Sequence, residues 1–498
     1  MSKDVQLITY VDRIAGDFQG LRSMLDNELG GLFGGVHILP FFDPIDGSDA
    51  GFDPIDHTRV DPRLGGWKDV AALTPTYRVM ADLIVNHLSS SSPQFEDVKR
   101  HGISSPYWDL FLKKSDLFSD DPGNATVSEE IRRIYRPRPG PPFTNVVLDD
   151  GSQHEFWTTF SPQQMDINVE SAAGKEYLDS ILARFSEAGV GEIRLDAAGY
   201  AIKRRGTSCF MLPETFDFIA TLSERARQLG MSSLVEIHSH YQTQVAIASQ
   251  VGRVYDFALP PLVLHTLYTG STSALKGWLH IAPRNCVTVL DTHDGIGILD
   301  VAGQGKMEGL LQNHEIDSLV ETIHRKTHGA SRRASGHGAS NLDVYQINST
   351  YYDALGRNDL DYLIARAIQF FAPGIPQVYY VGLLAGHNDL ALVETTDVGR
   401  DTNRHFYSRR EVRQALRRPV ARCLTDLIGF RNSCGAFSGV FSMPDCADDE
   451  LVMRWDAETQ RAELRIELST RRGIIQTTGG DGPQRICLDD DLLTWLDS

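Results

Sequence analysis

Three short apolar segments of this chain each end in a carboxylate. Asp196 closes the segment 192–196, Glu236 follows Leu234-Val235, and Asp294 ends the segment 287–294. Apolar segments of this length are typical of buried parallel strands. A charge at the end of a buried strand avoids desolvation only where that end opens into a polar cleft. We therefore predict that the three carboxylates meet at one site.

Clustered carboxylates indicate acid–base or covalent chemistry at an acetal carbon. In a retaining mechanism one carboxylate is the nucleophile, and a second, roughly 5–5.5 Å away, is first acid and then base. Arg194 lies two residues before Asp196 on the same strand face, so we expect its guanidinium to keep Asp196 ionised, as a nucleophile requires. Glu236 has apolar chain neighbours apart from His238. An apolar setting would raise its pKa, which suits a proton donor.

Two other interpretations of these residues remain open. An aspartate at a strand end can be only a helix cap or a salt-bridge partner. Metal binding is the second alternative, although Asp82, Asn86 and the scattered histidines lack the HExxH or two-histidine, one-carboxylate spacing of catalytic metal sites.

The elements that must position the carboxylates form a regular series. Candidate core strands cover residues 5–10, 35–41, 79–87, 191–196, 233–238, 253–257, 286–291 and 376–380. Helical periodicity lies between them, for instance over 21–29, 175–186, 215–229 and 361–371. Eight strands alternating with helices predict an α/β protein built on a (β/α)8 TIM barrel. A doubly wound sheet is the competitor, but no GxGxxG or Walker-type loop follows a strand.

Two intervals between strands are too long for simple connections. We predict inserted subdomains after strands 3 and 7, because long insertions on a compact barrel are usually functional. The first contains the Pro-rich stretch 136–142, and alternating residues after position 431 predict a small C-terminal antiparallel β domain. The predicted domains are the barrel (1–85, 171–295 and 356–436), domain B (86–170), subdomain B' (296–355) and the β domain (437–498).

Composition limits the classes of partner. The formal charge of -18 over 498 residues argues against binding to nucleic acid or to anionic membranes. An anionic substrate would therefore need a local cluster of cations. The six cysteines lack CxxC pairing, and no apolar run approaches the roughly 20 residues of a membrane span. A strand-like run that begins by Val5 leaves no room for a signal peptide, so we expect a cytoplasmic protein.

Four motifs resemble the signature regions of the α-amylase superfamily, glycoside hydrolase family thirteen. They are Asp82-Leu83-Ile84-Val85-Asn86-His87, Glu192-Ile193-Arg194-Leu195-Asp196-Ala197, Glu236 with His238, and Thr292-His293-Asp294. They occur in the family's order, on the strands where the barrel pattern already places them. The resemblance implies that Asp196 is the nucleophile, Glu236 the acid/base and Asp294 the transition-state stabiliser.

Within that superfamily the chain resembles the sucrose phosphorylases over nearly its whole length. The segments that carry this likeness are 5–10, 35–42, 49–57, 134–140, 341–346 and 399–401, while the C-terminal domain matches less clearly. By position, the resemblance implies that Asp49, His87, Arg194, His293 and Arg400 hold the glucosyl unit and that Phe52 and Phe160 form apolar walls. It further implies that Gln164, His238, Asp343 and Gln346 contact the fructosyl side, and that Arg138 and Tyr345 meet the phosphate.

The implied activity is reversible, retaining transfer of glucose from sucrose to inorganic phosphate through a β-glucosyl ester on Asp196. Its products are α-D-glucose 1-phosphate and fructose, and it needs neither a cofactor nor a metal. Relatives in the family are often homodimers. A phosphorylase of sucrose 6'-phosphate, glucosylglycerol or glucosylglycerate is the nearest alternative, although Asp343 would repel a 6'-phosphate. A sucrose-acting hydrolase or transglucosidase and a catalytically dead scaffold are the others.

Overall fold

Eight parallel strands close into a barrel within the part of the chain that the structure describes. This computed structural model describes residues 4–47, 49–118, 125–136, 140–335, 346–480 and 482–496. In chain order the barrel strands are β1 (Gln6–Thr9), β2 (Gly35–Ile38), β3 (Arg78–Ile84), β4 (Glu192–Asp196), β5 (Ser232–Val235), β6 (Arg253–Asp256), β7 (Cys286–Thr288) and β8 (Ile375–Tyr379). Each predicted strand overlaps one of them, which confirms the predicted fold class.

The barrel strands are apolar because both of their faces are covered. In β3 every residue except Arg78 is buried, and the same holds for all of β1, β2 and β4. The apolar runs extend further than the strands themselves. The run of β3 passes Ile84 and reaches His87, and the run of β7 passes Thr288 before it reaches Asp294. Several predicted site residues therefore lie just beyond a strand end.

Helices cover the outside of the barrel and fill the connections between its strands. The predicted helical segments overlap the helices Phe18–Asp26, Ala172–Glu187, Pro213–Gln228 and Asp359–Phe371, and the segment 21–29 runs three residues past the end of the first. The second begins where the Ser171 hydroxyl accepts a hydrogen bond from the amide of Gly174. Other helices of the described residues are Val11–Ile14, Trp67–Ala71, Pro93–His101, Ala125–Arg132, Tyr241–Ala248, Leu259–Thr269, Ser273–Ile281, Asn313–Lys326, Ala330–Ser335, Tyr351–Ala354, Tyr380–Leu383, Leu390–Thr396, Arg409–Ala415 and Pro419–Ser433.

The insertion between β3 and β4 is anchored on the barrel mouth by two contacts. Strand His87–Ser89, directly after β3, pairs antiparallel with Gln164–Asp166. Near this pair, Nζ of the buried Lys203 lies 2.9 Å from a carboxylate oxygen of Asp166 and 3.1 Å from Oδ1 of Asn86. A ribbon of Phe143–Val147 and Gln153–Trp157 extends the insertion. The ammonium group of Lys203 thus connects the insertion to the loop after β4, on which Lys203 lies.

The Pro-rich stretch is fixed at its start. The guanidinium of Arg136 donates to the carbonyls of Thr159 and Thr158, at 3.1 and 3.2 Å. Thr159 in turn donates through its amide to Asp166, 2.9 Å away. The Lys203–Asp166 pair and the base of this stretch therefore belong to one hydrogen-bonded chain.

The connection between β7 and β8 holds a second strand pair, Ile296–Gly297 with Gln346–Ile347. After β8 and its following helices, six antiparallel strands form the C-terminal sheet. They are β9 (Val440–Ser442), β10 (Glu450–Asp456), β11 (Gln460–Glu467), β12 (Arg472–Gly479), β13 (Gln484–Asp489) and β14 (Leu492–Leu496). The positions of the domain boundaries stay a prediction. In the described ranges, none of the helices combines the length and apolar character needed to cross a bilayer.

Candidate active site

The three predicted carboxylates lie at one mouth of the barrel. Asp196 is the last residue of β4, Glu236 directly follows β5, and Asp294 follows β7. All three side chains are about nine-tenths buried, with 11%, 11% and 10% of their surface exposed. This is the face formed by the carboxyl ends of the strands, where active sites of such barrels lie.

Arg194 joins two of these carboxylates. Its Nη1 lies 2.9 Å from Oδ1 of Asp196, and its Nη2 lies 2.5 Å from Oε1 of Glu236. Nη1 also binds the buried Asp82, whose other oxygen lies 3.0 Å from Nε2 of His37. The contact with Glu236 follows from the register: Leu234 pairs with Arg194, and Glu236, two residues on, faces the same way.

These contacts overturn the predicted ionisation of both carboxyls. Burial would raise the pKa of Glu236, but the charges of Arg194 and His238 outweigh it and lower that pKa to about 2. For Asp196, burial and the nearby carboxylates of Glu236 and Asp82 outweigh Arg194, so its pKa is raised well above the usual range. The prediction that Arg194 keeps Asp196 ionised while Glu236 sits in apolar surroundings is therefore wrong. The two carboxyls interact with each other, so they titrate as a pair.

Asp294 lies in a second cluster of charges. Nη1 of Arg400 is 2.6 Å from its Oδ1, and Nη2 of the same arginine is 2.7 Å from Oδ1 of Asp49. Burial opposes ionisation of Asp294, but the ring of His293 and the charges of Arg400 and Arg404 hold its pKa well below the usual range. Burial lowers the pKa of His293 to about 3. Because that ring is neutral at pH 7, the arginines supply the charge that keeps Asp294 ionised there.

The aromatic residues line this cluster. The ring of Phe52 stacks on His293, with centroids 4.8 Å apart and planes at 11°. The backbone carbonyl of Phe52 lies 2.9 Å from Nε2 of His87. Phe160 is 5.1 Å from the ring of His87. The side-chain amide of Gln164 lies 3.0 Å from the same Nε2 of His87.

His238 also lies beside Glu236. Its Nε2 is 3.7 Å from Oε1 of Glu236 and 3.4 Å from the amide nitrogen of Gln346. The side-chain oxygen of Gln346 accepts from the amide of Gly295, at 3.2 Å. His238 and Gln346 therefore form a polar surface beside Glu236.

Known proteins match this chain along most of its length. The alpha-amylase catalytic domain family matches residues 8–253. A sucrose phosphorylase from Agrobacterium vitis is 57% identical over 96% of this chain and 98% of its own. A sucrose phosphorylase from Bifidobacterium adolescentis is 50% identical over 96% and 95%. The chain belongs to the sucrose phosphorylase family of the α-amylase superfamily.

A solved structure of this family supports the same fold. The crystal structure of a sucrose 6F-phosphate phosphorylase from Thermoanaerobacter thermosaccharolyticum superposes with a TM-score of 0.88 at 36% identity, and the match covers 98% of each chain. The barrel, the inserted segments and the C-terminal sheet are therefore features that this chain shares with a family member.

Ten of the thirteen substrate-binding residues that the family resemblance predicts lie in the described ranges. They are Asp49, Phe52, His87, Phe160, Gln164, Arg194, His238, His293, Gln346 and Arg400, and contacts connect all ten to the carboxylates in one network. Their individual roles stay predictions. Arg138, Asp343 and Tyr345 lie outside the described residues.

Sequence reasoning missed several residues that hold this family's site together. The sequence offers Asp82 as part of a signature motif and as a possible metal ligand, whereas in the structure it pairs with Arg194, its neighbour across the β3–β4 ladder. Arg404 donates through Nε to the carbonyl of His293, at 2.8 Å, and its Nη2 lies 3.8 Å from Asp294. The sequence signal that could have indicated Arg404 is its position four residues after Arg400. Asp300, whose Oδ2 lies 3.5 Å from Nδ1 of His238, comes from a loop with no recognisable sequence pattern.

The described residues offer one combination of potential metal ligands at this mouth. Single atoms of Glu236, His238 and Asp294 lie within 4.8 Å of one another. Arg194 and Arg400 already bind two of these groups, and a cation placed among them would be repelled by both guanidiniums. The arrangement is better suited to a sugar ring with developing positive charge than to a resident ion.

Proposed function

We propose that this protein acts as a sucrose phosphorylase. It would transfer the glucosyl unit of sucrose reversibly to inorganic phosphate, giving α-D-glucose 1-phosphate and D-fructose. The observation that carries the proposal is the pair Asp196–Glu236, bridged by Arg194 and placed beside the Asp294–Arg400–Asp49 cluster. Identities of 57% and 50% to sucrose phosphorylases support the choice of substrates.

In the first step Glu236 protonates the glycosidic oxygen while Asp196 attacks the anomeric carbon. Fructose leaves with the proton, and a β-glucosyl ester forms on Asp196. This step consumes one proton, so the pair has to hold one proton when sucrose is bound. That proton must lie on Glu236 when the sugar is bound, so we expect the substrate to separate the two carboxyls and leave Asp196 ionised.

In the second step a phosphate oxygen attacks the anomeric carbon from the face that fructose left. The bond to Asp196 breaks, Asp196 leaves as a carboxylate, and Glu236 accepts any proton that the phosphate still carries. Two inversions give net retention. One guanidinium, that of Arg194, contacts both carboxyls, and this closeness favours retention because an inverting site leaves roughly 6.5–9.5 Å between its carboxyls for a water molecule.

Asp294 is proposed to stabilise the oxocarbenium-like transition state. Arg400 donates through Nη1 to Asp294 and through Nη2 to Asp49, so one guanidinium bridges the two carboxylates. A carboxylate that remains ionised beside a developing positive charge lowers the barrier without reorganising. Phe52 and His293 would supply the flat wall on which the glucose ring rests.

The test is a product assay with sucrose and phosphate. We expect glucose 1-phosphate as the main product, an anomeric NMR signal of the α form, and little free glucose. Free glucose alone would refute phosphorolysis. Turnover only with sucrose 6'-phosphate, glucosylglycerol or glucosylglycerate would shift the assignment to the corresponding phosphorylase.

Arg138 and Tyr345 remain the proposed phosphate contacts. Replacing Arg138 with alanine should raise KM for phosphate far more than KM for sucrose, because the lost charge faces only the anionic acceptor. Arg133→Ala, which removes an exposed arginine five residues earlier, is the matched control. Equal effects of the Arg138 change on both KM values would reduce that residue to a structural role.

The proposal also includes the cellular location and the oligomeric state of the protein. A cytoplasmic location is supported by six free cysteines, which fit a reducing compartment. A homodimer is proposed from the family resemblance alone. Sedimentation at several concentrations would detect it, and a particle of one chain mass, about 55.3 kDa, would reject it.

A further inference from the structure

His238 is enclosed between two carboxylates. Its Nε2 lies 3.7 Å from Oε1 of Glu236, and its Nδ1 lies 3.5 Å from Oδ2 of Asp300. The ring stacks on Phe257, with centroids 3.9 Å apart and planes at 17°. The stacking fixes the ring plane, so each nitrogen keeps its own carboxylate neighbour.

Asp300 is built into this position. It is fully buried, and its Oδ1 accepts from the side-chain amide of Gln244 at 2.7 Å and from the amide of Ser239 at 3.3 Å. Its other oxygen lies where a side chain at Gly297 would stand, 2.3 Å from an ideal Cβ. Glycine at this position lets the carboxylate approach the backbone and point at His238.

Two carboxylates on one ring favour the doubly protonated form. At 3.7 and 3.5 Å both carboxylates lie within ion-pair distance of the ring, and the negative charge of each stabilises an imidazolium. Burial opposes the charge, but the contacts with Asp300 and Glu236 outweigh it and raise the pKa of His238 to about 10. Among the described residues, Asp294 also interacts electrostatically with His238, and Tyr135 and Asp256 interact with Asp300.

The acceptor side must serve two different molecules. It releases neutral fructose in one half-reaction and admits phosphate, an anion, in the other. In the glucosyl-enzyme Asp196 is esterified, but Glu236 and Asp294 remain negative, and both repel phosphate. Arg194 and Arg400 are already bound by carboxylates. A fixed positive charge at His238 offsets this repulsion.

We propose that Asp300 is a positioning residue that keeps His238 as an imidazolium, and that this imidazolium binds the phosphate acceptor. The inference rests on the proposed function for its substrate, while the protonation of His238 stands independently. Fructose, which carries no charge, gains little from the imidazolium. Asp300 therefore adds to the preference for an anionic acceptor without touching it.

The test compares Asp300→Asn with wild type. Asparagine keeps the acceptor oxygen for Gln244 and Ser239 but loses the charge. We expect KM for phosphate to rise about tenfold or more, the loss that follows from one charge-assisted hydrogen bond. KM for sucrose and the slow hydrolysis measured without phosphate should change far less. Asp353→Asn, which alters a separate buried aspartate that lies 3.1 Å from a half-exposed histidine, His387, is the matched control.

A spectroscopic readout distinguishes this role from a general loss of structure. With labelled histidine, the wild-type His238 signal, assigned by its loss in His238→Gln, should stay that of an imidazolium from pH 6 to 8.5. In Asp300→Asn it should titrate in that range. Asp300→Asn added to His238→Gln should have no further effect on KM for phosphate.

Specific outcomes would overturn the inference. They are a wild-type His238 that titrates near its usual value, equal changes of KM for phosphate and sucrose, or additive effects in the double variant. If Asp300→Asn does not fold, the wild-type titration and the KM values of His238→Gln still decide. If wild type makes no glucose 1-phosphate, the proposed function fails, while the titration still reports on Asp300.

Discussion

The buried ion pair of Lys203 and Asp166 permits a quantitative prediction. The side chains are 2% and 0% exposed, and Nζ lies 2.9 Å from the carboxylate oxygen. At an effective dielectric of about 20, the attraction at this distance is about 6 kcal/mol. Asn86 and the carbonyl of Tyr200 accept further hydrogen bonds from the ammonium. Lys203→Met would leave Asp166 charged and buried without this partner.

Loss of one member of a buried pair costs about 3–5 kcal/mol. A chain of 498 residues has an unfolding entropy of about 1 kcal/mol/K. Lys203→Met should therefore lower the midpoint of thermal unfolding by about 4 °C if the chain unfolds as one unit. The fall should be larger if the insertion unfolds separately, because a smaller unit has a smaller unfolding entropy.

Scanning calorimetry at pH 7 gives this midpoint, and a second variant tests its cause. Lys203→Met with Asp166→Asn removes both charges, so most of the loss should be recovered. Lys175→Met, at an exposed lysine, is the control and should change stability by no more than about 0.5 kcal/mol. Additive losses in the double variant would refute the charge-pair reasoning.

Three further variants probe the site and its scaffold. Asp196→Asn should lower turnover by several orders of magnitude without unfolding the protein, measured by glucose 1-phosphate release and circular dichroism; normal turnover would remove Asp196 from its role. Arg400→Lys should reduce kcat/KM for sucrose about tenfold to a hundredfold, because a single ammonium cannot bridge Asp294 and Asp49 as the guanidinium does; an unchanged value would contradict the bridge. Burial raises the pKa of Asp256 to about 6 although Trp278 donates to it. The native state thus binds more protons than the unfolded state between the two pKa values, and stability falls by about 3 kcal/mol as the pH rises from 4 to above 6. Asp256→Asn should gain stability relative to wild type over that range, and parallel melting curves from pH 4 to 7.5 would disprove this.

The barrel was predictable because its signals are local. Each strand is a short apolar run, and a run such as that of β3 keeps its character whatever lies beside it. The meeting of Asp196, Glu236 and Asp294 followed from the rule that parallel strands end at one face. No measurement of distance was needed for that inference.

The ionisation of the carboxyls was not predictable because it depends on neighbours across the sheet. Along the chain Glu236 has apolar neighbours, but Arg194 reaches it from the adjacent strand. Asp82 lies opposite Arg194 on the other side. Asp300 and Lys203 come from loops, where spacing carries no information about which element they will meet. The sequence shows which residues carry a charge, but the pairing register of the strands decides which of these charges come into contact.

The ammonium of Lys203 also restricts how the site can change shape between acceptors. If the insertion after β3 tilted away from the barrel as a body, Lys203 would lose Asp166, and the strand pair beside it would separate. That cost is several times thermal energy, so tilting of this kind is rare during a catalytic cycle. Any rearrangement of the site between binding fructose and binding phosphate must then occur within individual loops, over short distances. Catalysis can proceed through many turnovers while the frame of the mouth stays still.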